Sequence, residues 1–315
     1  MTNLALDHRP LGTTGLLVPP LCVGCAPLGD MPETFAYGVP EAQALATLRA
    51  AFASPITFLD TAASYGDGES ERRIGLVVRE RGGVPSGIVI ATKADRDLRT
   101  GEFTGDQMRR SVERSLRFLG LDHLPLCYLH DPEHIGFAAA MAPGGPVAAL
   151  RQLHAEGVIH HLGIAGGPIA MMTQFVATDL FTAAISHNRY TLLNQEAEPF
   201  WDACRQHGVA ALNAAPYGSG ILAKGPSAYP RYMYGDASEE YLQRAHAIEA
   251  LCQRHHVPLA AVALQFSLRD SRIASTIVGM SKPERLAETV ALAQTPIPDE
   301  LWQDVARLPG GGLHA

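Results

Sequence analysis

Four side chains that can exchange protons or hold charge follow three apolar, strand-like segments of the chain. Asp60 ends the first segment, and Tyr65 comes five residues later in a loop of small residues. Lys93 ends the second segment and His130 ends the third. Tyrosine is a poor base near neutral pH because its ordinary pKa is about 10, but a neighbouring cation favours the phenolate and lowers that value. The four residues could therefore form a proton-transferring site.

Each of these residues also has an ordinary structural explanation. Asp60 could cap a helix and Tyr65 could pack within a loop. A lysine after a strand is usually solvated, and a histidine there is more often hydrogen-bonded than catalytic. The joint occurrence at three successive strand ends favours function, because ligands of α/β proteins bind at the carboxyl ends of strands.

The elements that would position these residues alternate along the chain. Strands are predicted over Leu21–Gly24, Thr57–Leu59, Ile88–Thr92, Leu126–Leu129, His161–Ile164, Ala183–Ser186, Val209–Asn213 and Ser275–Val278. The clearest helical patterns cover Pro40–Ala53, Ser70–Arg81 and Gly105–Leu119. Eight β-α units imply parallel strands with right-handed crossovers, which close most naturally into a (β/α)8 TIM barrel. We therefore expect an α/β fold with one domain over residues 1–315.

Two segments depart from this alternation. Residues 225–237 are rich in glycine, proline and tyrosine, and predict a long irregular loop of the kind that often shapes a substrate pocket. The tail after Pro309 is glycine-rich and is expected to be loosely ordered.

Composition limits the classes of partner and compartment. The net charge of −7 and the lack of a basic stripe argue against nucleic acid. No stretch approaches the length of a membrane span, and the N-terminal residues do not resemble a signal peptide. The five cysteines do not suggest a disulfide framework, so we expect a reducing cytoplasm. Cys22 and Cys25 should point to opposite faces of a strand, which disfavours a redox pair.

The histidines do not predict a metal site. Side chains diverge within the adjacent pairs His160-His161 and His255-His256. His130 and His134 have helical spacing, but Pro132 between them makes a helix improbable.

These residues resemble the aldo-keto reductase superfamily over nearly the whole chain. The resemblance is carried by Leu11-Gly12-Thr13-Thr14-Gly15-Leu16, by Asp60-Thr61-Ala62-Ala63-Ser64-Tyr65-Gly66, by Thr92-Lys93 and by Leu129-His130. A narrower likeness to the aldose 1-dehydrogenases, such as L-fucose, D-threo-aldose and L-galactose dehydrogenases, rests on His130-Asp131-Pro132-Glu133, His187-Asn188-Arg189-Tyr190-Thr191-Leu192-Leu193 and Asn213-Ala214-Ala215-Pro216-Tyr217-Gly218-Ser219-Gly220-Ile221-Leu222.

The resemblance implies an N-terminal β-hairpin and a nicotinamide cofactor bound across the open end of the barrel. No G-x-G-x-x-G follows a strand, so a Rossmann domain is not expected. By resemblance, Tyr65 is the general acid/base, Lys93 lowers its pKa, Asp60 holds Lys93, and His130 orients the substrate. The implied cofactor contacts are Gly24, Asp60, His187, Tyr217, Ser219, Gly220, Gly279, Ser281, Lys282, Arg285 and Glu288, and the implied substrate contacts are Tyr65, His130 and Tyr217.

The chain departs from the family pattern in its cofactor half. His187 stands where the family places an amide, Ala165-Gly166 replace Ser-Asn, and Ala214 replaces a stacking aromatic residue. Gly279 stands where NADP-preferring relatives usually carry lysine. We therefore expect NAD as the cofactor, with NADP possible through Lys282 and Arg285.

The resemblance predicts oxidation of the anomeric C1 hydroxyl of a free aldose, such as L-fucose, L-galactose or D-arabinose, to an aldonolactone. Asp131, Glu133, His134 and Tyr217 are candidates to hydrogen-bond the sugar hydroxyls. We expect a monomer or small homo-oligomer with a sugar substrate and no nucleic acid, membrane or metal. The alternatives are reduction of aldehydes or oxidation of non-sugar alcohols, a nicotinamide-binding regulatory subunit, and a metal-dependent barrel hydrolase, which would require a His-x-His after an early strand.

Overall fold

A closed barrel of eight parallel strands forms the centre of the computed structural model, which describes residues 6–308. The strands are β1 (Leu21–Gly24), β2 (Phe58–Asp60), β3 (Val89–Ala94), β4 (Leu126–His130), β5 (Leu162–Gly166), β6 (Ala183–His187), β7 (Ala210–Ala214) and β8 (Ile273–Gly279). Strand β8 pairs with β1, and this pairing closes the barrel. The predicted fold and all eight strands are confirmed; most strands extend one or two residues beyond the predicted carboxyl end.

Helices surround the barrel. The longer ones are α1 (Glu41–Ala51), α2 (Glu69–Glu80), α3 (Gly105–Leu119), α4 (Pro146–Ala155), α5 (Ile169–Val176), α6 (Glu198–Gln206), α7 (Glu239–Arg254), α8 (Leu259–Leu268), α9 (Glu284–Gln294) and α10 (Asp299–Ala306). The bounds of α3 are as predicted, because both of its ends are capped. The Thr104 hydroxyl accepts a hydrogen bond from the backbone of Gln107, and Gly120 takes the left-handed conformation that ends the helix.

Side chains fill the barrel, so its interior is not a channel. The inward-facing positions include Phe58, Leu126 and Tyr128. Gly163 makes room for the Tyr128 ring, since a Cβ at this glycine would lie 2.2 Å from the ring. Leu11 and Val18 of the predicted N-terminal hairpin, which pairs Arg9–Pro10 with Leu17–Val18, belong to the same core. The hairpin closes the amino-terminal end of the barrel and leaves the carboxyl end open.

The predicted loop at residues 225–237 is mostly irregular but contains a small antiparallel hairpin. Arg231–Tyr232 pairs with Gly235–Asp236. The Tyr229 hydroxyl donates a hydrogen bond of 3.0 Å to the carbonyl of Phe35, which ends a short helix (Pro32–Phe35) after β1. The loop therefore reaches across the open end of the barrel.

The cysteines and the segment after His130 have the arrangement that the sequence predicts. All five cysteines are buried free thiols, and Cys22 and Cys25 face the inner and outer cores respectively. Pro132–His134 form a short 3-10 helix in place of an α-helix. Among residues 6–308, no helix is long and apolar enough to cross a membrane. The tail after Pro309 lies outside the described residues.

Glu71 on α2 is a buried carboxyl group directly behind strand β3. Its Oε1 accepts a hydrogen bond of 2.5 Å from the Thr92 hydroxyl, and the side chain has no solvent exposure. Burial is the largest influence and raises the pKa of Glu71 from 4.5 to about 7, while the Thr92 hydrogen bond opposes the rise. Ionising this group inside the folded protein therefore costs free energy.

We predict that Glu71→Gln removes a pH-dependent loss of stability. The pKa of Glu71 is about 7 in the folded protein and 4.5 ordinarily, so the neutral carboxyl group stabilises the fold at low pH. This contribution is fully present below pH 4.5 and is lost as the pH rises through the folded-state pKa of about 7. Glutamine keeps the neutral shape without titrating. From about pH 5 to about pH 8, the free energy of unfolding of the variant should rise by about 1–3 kcal/mol relative to that of the unsubstituted protein. Urea unfolding at the two pH values measures this difference. Glu113→Gln, on an exposed face of α3, is the control. An equal Glu71→Gln effect at both pH values would contradict the prediction.

Candidate active site

Three of the four candidate proton-handling residues form the top layer of the barrel interior. Because side chains alternate along a strand, every second residue of a barrel strand faces inward. Asp60, Lys93 and His130 each lie two residues after a side chain of the inner core, namely Phe58, Ala91 and Tyr128. The strand period thus brings together residues that are far apart in sequence.

Tyr65 enters from the loop between β2 and α2. This loop packs against the 3-10 turn after β1 (Ala26–Gly29), where the two backbones touch. A Cβ at Gly66 would lie 2.0 Å from the carbonyl oxygen of Gly29, so neither position has room for a side chain. The close packing turns Tyr65 back over the barrel mouth.

The Lys93 ammonium group lies between Asp60 and Tyr65. Its Nζ donates hydrogen bonds to Asp60 Oδ2 (2.6 Å), the Thr61 carbonyl (2.8 Å) and Tyr65 Oη (3.0 Å). Burial alone would lower the pKa of Lys93, but Asp60 raises it above its usual value, so the ammonium stays charged. A buried charge is tolerable only when it is paired and hydrogen-bonded, and all three donors of this ammonium have acceptors.

The pKa of Tyr65 is raised above its ordinary value. Desolvation by the surrounding protein is the largest influence, and Asp60 adds to it, whereas Lys93 acts in the opposite direction. Lys93 therefore lowers the pKa of Tyr65 as expected, but desolvation outweighs this effect and the net shift is upward. A lysine that is already paired with a carboxylate offers Tyr65 little net positive charge. Tyr65 is a protonated phenol in this arrangement.

A carboxylate that the sequence analysis missed lies beside His130. Asp95 Oδ1 is 2.7 Å from His130 Nδ1, and the Asp95 side chain is almost completely buried. The rings of His130 and Tyr65 are nearly perpendicular, with centroids 5.9 Å apart. The sequence did indicate that Asp95 could face the site, because it lies two residues after Lys93 and residues two apart on a strand face the same side.

A single cavity of about 750 Å³ opens at this end of the barrel. It is lined by all the catalytic, cofactor and substrate contacts that the family resemblance implies: Gly24, Asp60, Tyr65, Lys93, His130, His187, Tyr217, Ser219, Gly220, Gly279, Ser281, Lys282, Arg285 and Glu288. Asp131 also lines the cavity. Glu133 and His134 do not, and Glu133 instead accepts a hydrogen bond from the backbone of Gly167.

One arm of the cavity suits an anionic dinucleotide. Lys224, Lys282 and Arg285 line it, and the Arg285 guanidinium lies 5.9 Å from the centre of the Tyr217 ring. The buried Tyr217 hydroxyl has no protein partner among the described residues, so it is available to a ligand. Arg285 also pairs with Glu288 at 3.3 Å. These features fit a nicotinamide dinucleotide, with its phosphates near the cations.

The positions that depart from the family pattern also line the cavity. Ala165, Gly166 and Ala214 line the cavity, as does His187. Burial is the largest influence on His187 and lowers its pKa to about 4. The ring is therefore neutral near physiological pH and offers one donor and one acceptor for a carboxamide.

The other arm combines apolar and polar side chains around Tyr65 and His130. Met31, Phe35 and Leu98 form its apolar part, and Ser64, Arg96, Asp131 and Tyr234 its polar part. The sequence predicted the loop that contains Tyr234 but not a role for this residue in the site, and it gave no indication of Arg96, Tyr37 or Lys224, which also line the cavity. These side chains come from connections without a periodic pattern, so the sequence alone gives no direction for them.

Four of the eleven non-glycine residues that have positive φ angles within residues 6–308 line the cavity. Asp131, Ala215, Ser219 and Tyr234 all have positive φ angles and all line it. Residues other than glycine seldom adopt this conformation, and such strain is often found at functional sites.

Comparisons with known proteins agree with this geometry. The Aldo/keto reductase family model matches residues 20–308. The chain is 33% identical to D-threo-aldose 1-dehydrogenase of a Pseudomonas species, over 93% of this chain and 94% of the relative. It is 31% identical to pyridoxal 4-dehydrogenase of Microbacterium luteolum, over 95% of this chain and 96% of the relative. It is 30% identical to L-galactose dehydrogenase of Arabidopsis thaliana, over 92% of this chain and 88% of the relative.

A solved structure shares the fold. The holo form of an aldo-keto reductase, AKR11C1 of Bacillus halodurans, matches with a TM-score of 0.76 and 23% identity over 95% of each chain.

Proposed function

The chain belongs to the aldo/keto reductase family of oxidoreductases, and we propose that it oxidises the anomeric C1 hydroxyl of a free aldose to an aldonolactone. The family uses nicotinamide cofactors, and we propose NAD for this chain, with NADP as a possible second cofactor. The observation that carries the proposal is the contact of Lys93 with both Asp60 and Tyr65 at the floor of a cavity wide enough for a dinucleotide and a small substrate. The five buried free thiols suit a reducing cytoplasm.

The proposed reaction needs a group that takes the hydroxyl proton. A nicotinamide bound in its oxidised form supplies the hydride acceptor and a positive charge. Tyr65 first loses its own proton to solvent, and a positive charge in the cavity favours this loss because it opposes the desolvation that raises the pKa of Tyr65. The phenolate then takes the hydroxyl proton of the substrate. Lys93 holds the Tyr65 oxygen in place and stabilises the phenolate before it takes this proton. His130 hydrogen-bonds the reacting oxygen. In the reverse direction Tyr65 donates the proton as a general acid.

The acidity of the substrate hydroxyl favours a hemiacetal over an ordinary alcohol. A hemiacetal hydroxyl is the more acidic of the two, so its proton passes to Tyr65 with less driving force. The names of two relatives specify aldoses or L-galactose, and both kinds of sugar form cyclic hemiacetals. The third name specifies pyridoxal, whose aldehyde can also close on its neighbouring hydroxymethyl group. A cyclic hemiacetal is thus common to all three named substrates.

Polar groups in the other arm of the cavity, around Tyr65 and His130, favour a sugar among the substrates that form cyclic hemiacetals. Asp131, Arg96 and Tyr234 can accept or donate hydrogen bonds to ring hydroxyls. A site that leaves such groups unpaired rejects the wrong substrate strongly. Oxidation of pyridoxal is the second candidate, and the aromatic wall of Phe35 and Tyr234, whose ring centroids are 6.1 Å apart, would suit its flat ring.

We predict that Tyr65→Phe abolishes most turnover while nucleotide binding persists. The substitution removes only the hydroxyl, and general acid–base catalysis is worth about 10²–10⁴-fold, so kcat should fall by at least that much. Steady-state kinetics and quenching of protein fluorescence by NAD+ measure the two effects. Tyr241→Phe removes a tyrosine hydroxyl outside the cavity and should leave both unchanged. Near-normal kcat in Tyr65→Phe would disprove the assignment.

We predict that NAD+ is preferred and that Glu288 contributes to the preference. Its carboxylate pairs with Arg285 at 3.3 Å, so it would both neutralise this cation and repel a 2′-phosphate. Glu288→Gln should raise the ratio of kcat/KM for NADP+ to that for NAD+ by about tenfold, or ~1.4 kcal/mol. Glu284→Gln on an exposed face of the same helix is the control. The prediction would be refuted if the unsubstituted protein had a clearly higher kcat/KM with NADP+ than with NAD+.

We predict that a free sugar yields a lactone. L-Fucose, L-galactose and D-arabinose are each incubated with NAD+, with pyridoxal and simple aldehydes in parallel, and Tyr65→Phe serves as the blank. Product analysis should show the 1,5-lactone or the aldonic acid formed from it, together with NADH. Activity confined to pyridoxal or simple aldehydes, with no sugar oxidised, would overturn the aldose assignment and leave the family assignment intact.

A further inference from the structure

Asp95, just beyond the end of β3, is held on every side by the protein. Its Oδ1 lies 2.7 Å from His130 Nδ1, and its Oδ2 accepts a hydrogen bond of 2.9 Å from the backbone N–H of Ser64. From α3, the Ser111 hydroxyl accepts from the Asp95 backbone N–H, and the Gln107 amide donates to the Asp95 carbonyl. Both carboxylate oxygens and both backbone groups of Asp95 are therefore fixed in position.

The contact with Asp95 determines which nitrogen of His130 carries a proton. Burial opposes ionisation of Asp95, but His130 and the Ser64 hydrogen bond hold its pKa below the usual range. An ionised carboxylate can only accept hydrogen bonds, so Nδ1 of His130 must be the donor. Nε2 is then directed to the cavity, where Asp131 Oδ1 lies 3.6 Å away, farther than a hydrogen bond. Nε2 is left for a ligand.

The charges around His130 favour its protonated form. Asp95 and Asp131 face the ring with negative charge, and Lys93 with positive charge, although Lys93 is itself paired with Asp60. Tyr65 and His187 also border this part of the cavity, and burial disfavours the charged form of each by raising the pKa of Tyr65 and lowering that of His187. Burial opposes a charge on His130, but the two aspartates raise its pKa above the usual value.

We propose that Asp95 is a positioning residue that holds the proton on Nδ1 of His130 and directs Nε2, as a charged donor, to the reacting oxygen. The proposal deepens the oxidoreductase function proposed above and rests on it. Buried carboxylates orient histidines in this way in hydrolases and around metal ions. Here Asp95 also holds the Ser64 backbone, next to Tyr65, so one carboxylate aligns the two groups that meet the reacting oxygen.

The protonation state of His130 tests this directly and needs no substrate. Nitrogen-15 NMR of the full-length protein reports the protons on both imidazole nitrogens, and the loss of a signal in His130→Gln assigns it. The His130 ring should remain protonated at pH values above the usual pKa of histidine. When the ring loses its charge at higher pH, the remaining proton should be on Nδ1. Asp95→Asn should lower the pKa of His130 by about one unit or more. Asp131→Asn should also lower this pKa but leave the proton on Nδ1.

Kinetics test the positioning role separately. Because Asp95 acts on the reacting oxygen only through the groups that it positions, Asp95→Asn should lower kcat for sugar oxidation by about 10–100-fold, with KM changed by less than about threefold. The pH profile should shift to lower pH together with the His130 titration. Asp122→Asn, an exposed substitution before β4, is the control for both measurements.

Two results would overturn the proposal. One is a neutral His130 with its proton on Nε2 near neutral pH in the unsubstituted protein, a measurement that stands even if Asp95→Asn fails to fold. The other is an Asp95→Asn protein whose His130 titrates normally and whose kcat is unchanged. If no sugar is oxidised, the aldose assignment fails, and the NMR result still decides the role of Asp95.

Discussion

The active site depends on one buried ammonium group. Lys93 has three N–H donors and meets three acceptors: the Asp60 carboxylate, the Thr61 carbonyl and the Tyr65 hydroxyl. Taking these charges out of water is costly, and removal of one partner from a buried pair typically costs about 3–5 kcal/mol. The protein must therefore hold the ends of β2 and β3 and the Tyr65 loop in a fixed relation. This requirement links the stability of the barrel mouth to the geometry of proton transfer.

The barrel meets this requirement through close packing at two levels. The N-terminal hairpin and the inner side chains fill the barrel below the ion pair, so the charged layer rests on an apolar core. Above it, the contact between Gly29 and Gly66 fixes the Tyr65 loop, and Asp95 ties that loop to His130. The cations Lys224, Lys282 and Arg285 and the polar side chains of Arg96, Asp131 and Tyr234 line the same cavity as Tyr65. In this arrangement, a cofactor and a substrate can meet at one oxygen atom.

Much of this arrangement could be predicted from the sequence, because the strand period is a local signal. Strand residues alternate between two faces, so the inward direction of Asp60, Lys93 and His130 follows from their positions. The same reasoning would have reached Asp95, two residues after Lys93. The ionisation of Tyr65 could not be predicted in this way, because desolvation depends on the whole assembled cavity. Tyr234 and Lys224 were equally inaccessible, since Tyr234 lies in the turn of the hairpin formed by Arg231–Tyr232 and Gly235–Asp236 and Lys224 ends the short helix Ile221–Lys224, and neither short element has a periodic pattern.

The central claim is that Tyr65 is a neutral phenol in the free protein and ionises more readily when a cation binds beside it. A spectrophotometric titration of tyrosinate, taken as the difference between the unsubstituted protein and Tyr65→Phe, isolates this one side chain. The account predicts that Tyr65 does not ionise below about pH 10 in the free protein and that its pKa falls when NAD+ is bound. A Tyr65 that titrates near neutral pH without NAD+, or whose pKa does not change when NAD+ binds, would contradict it.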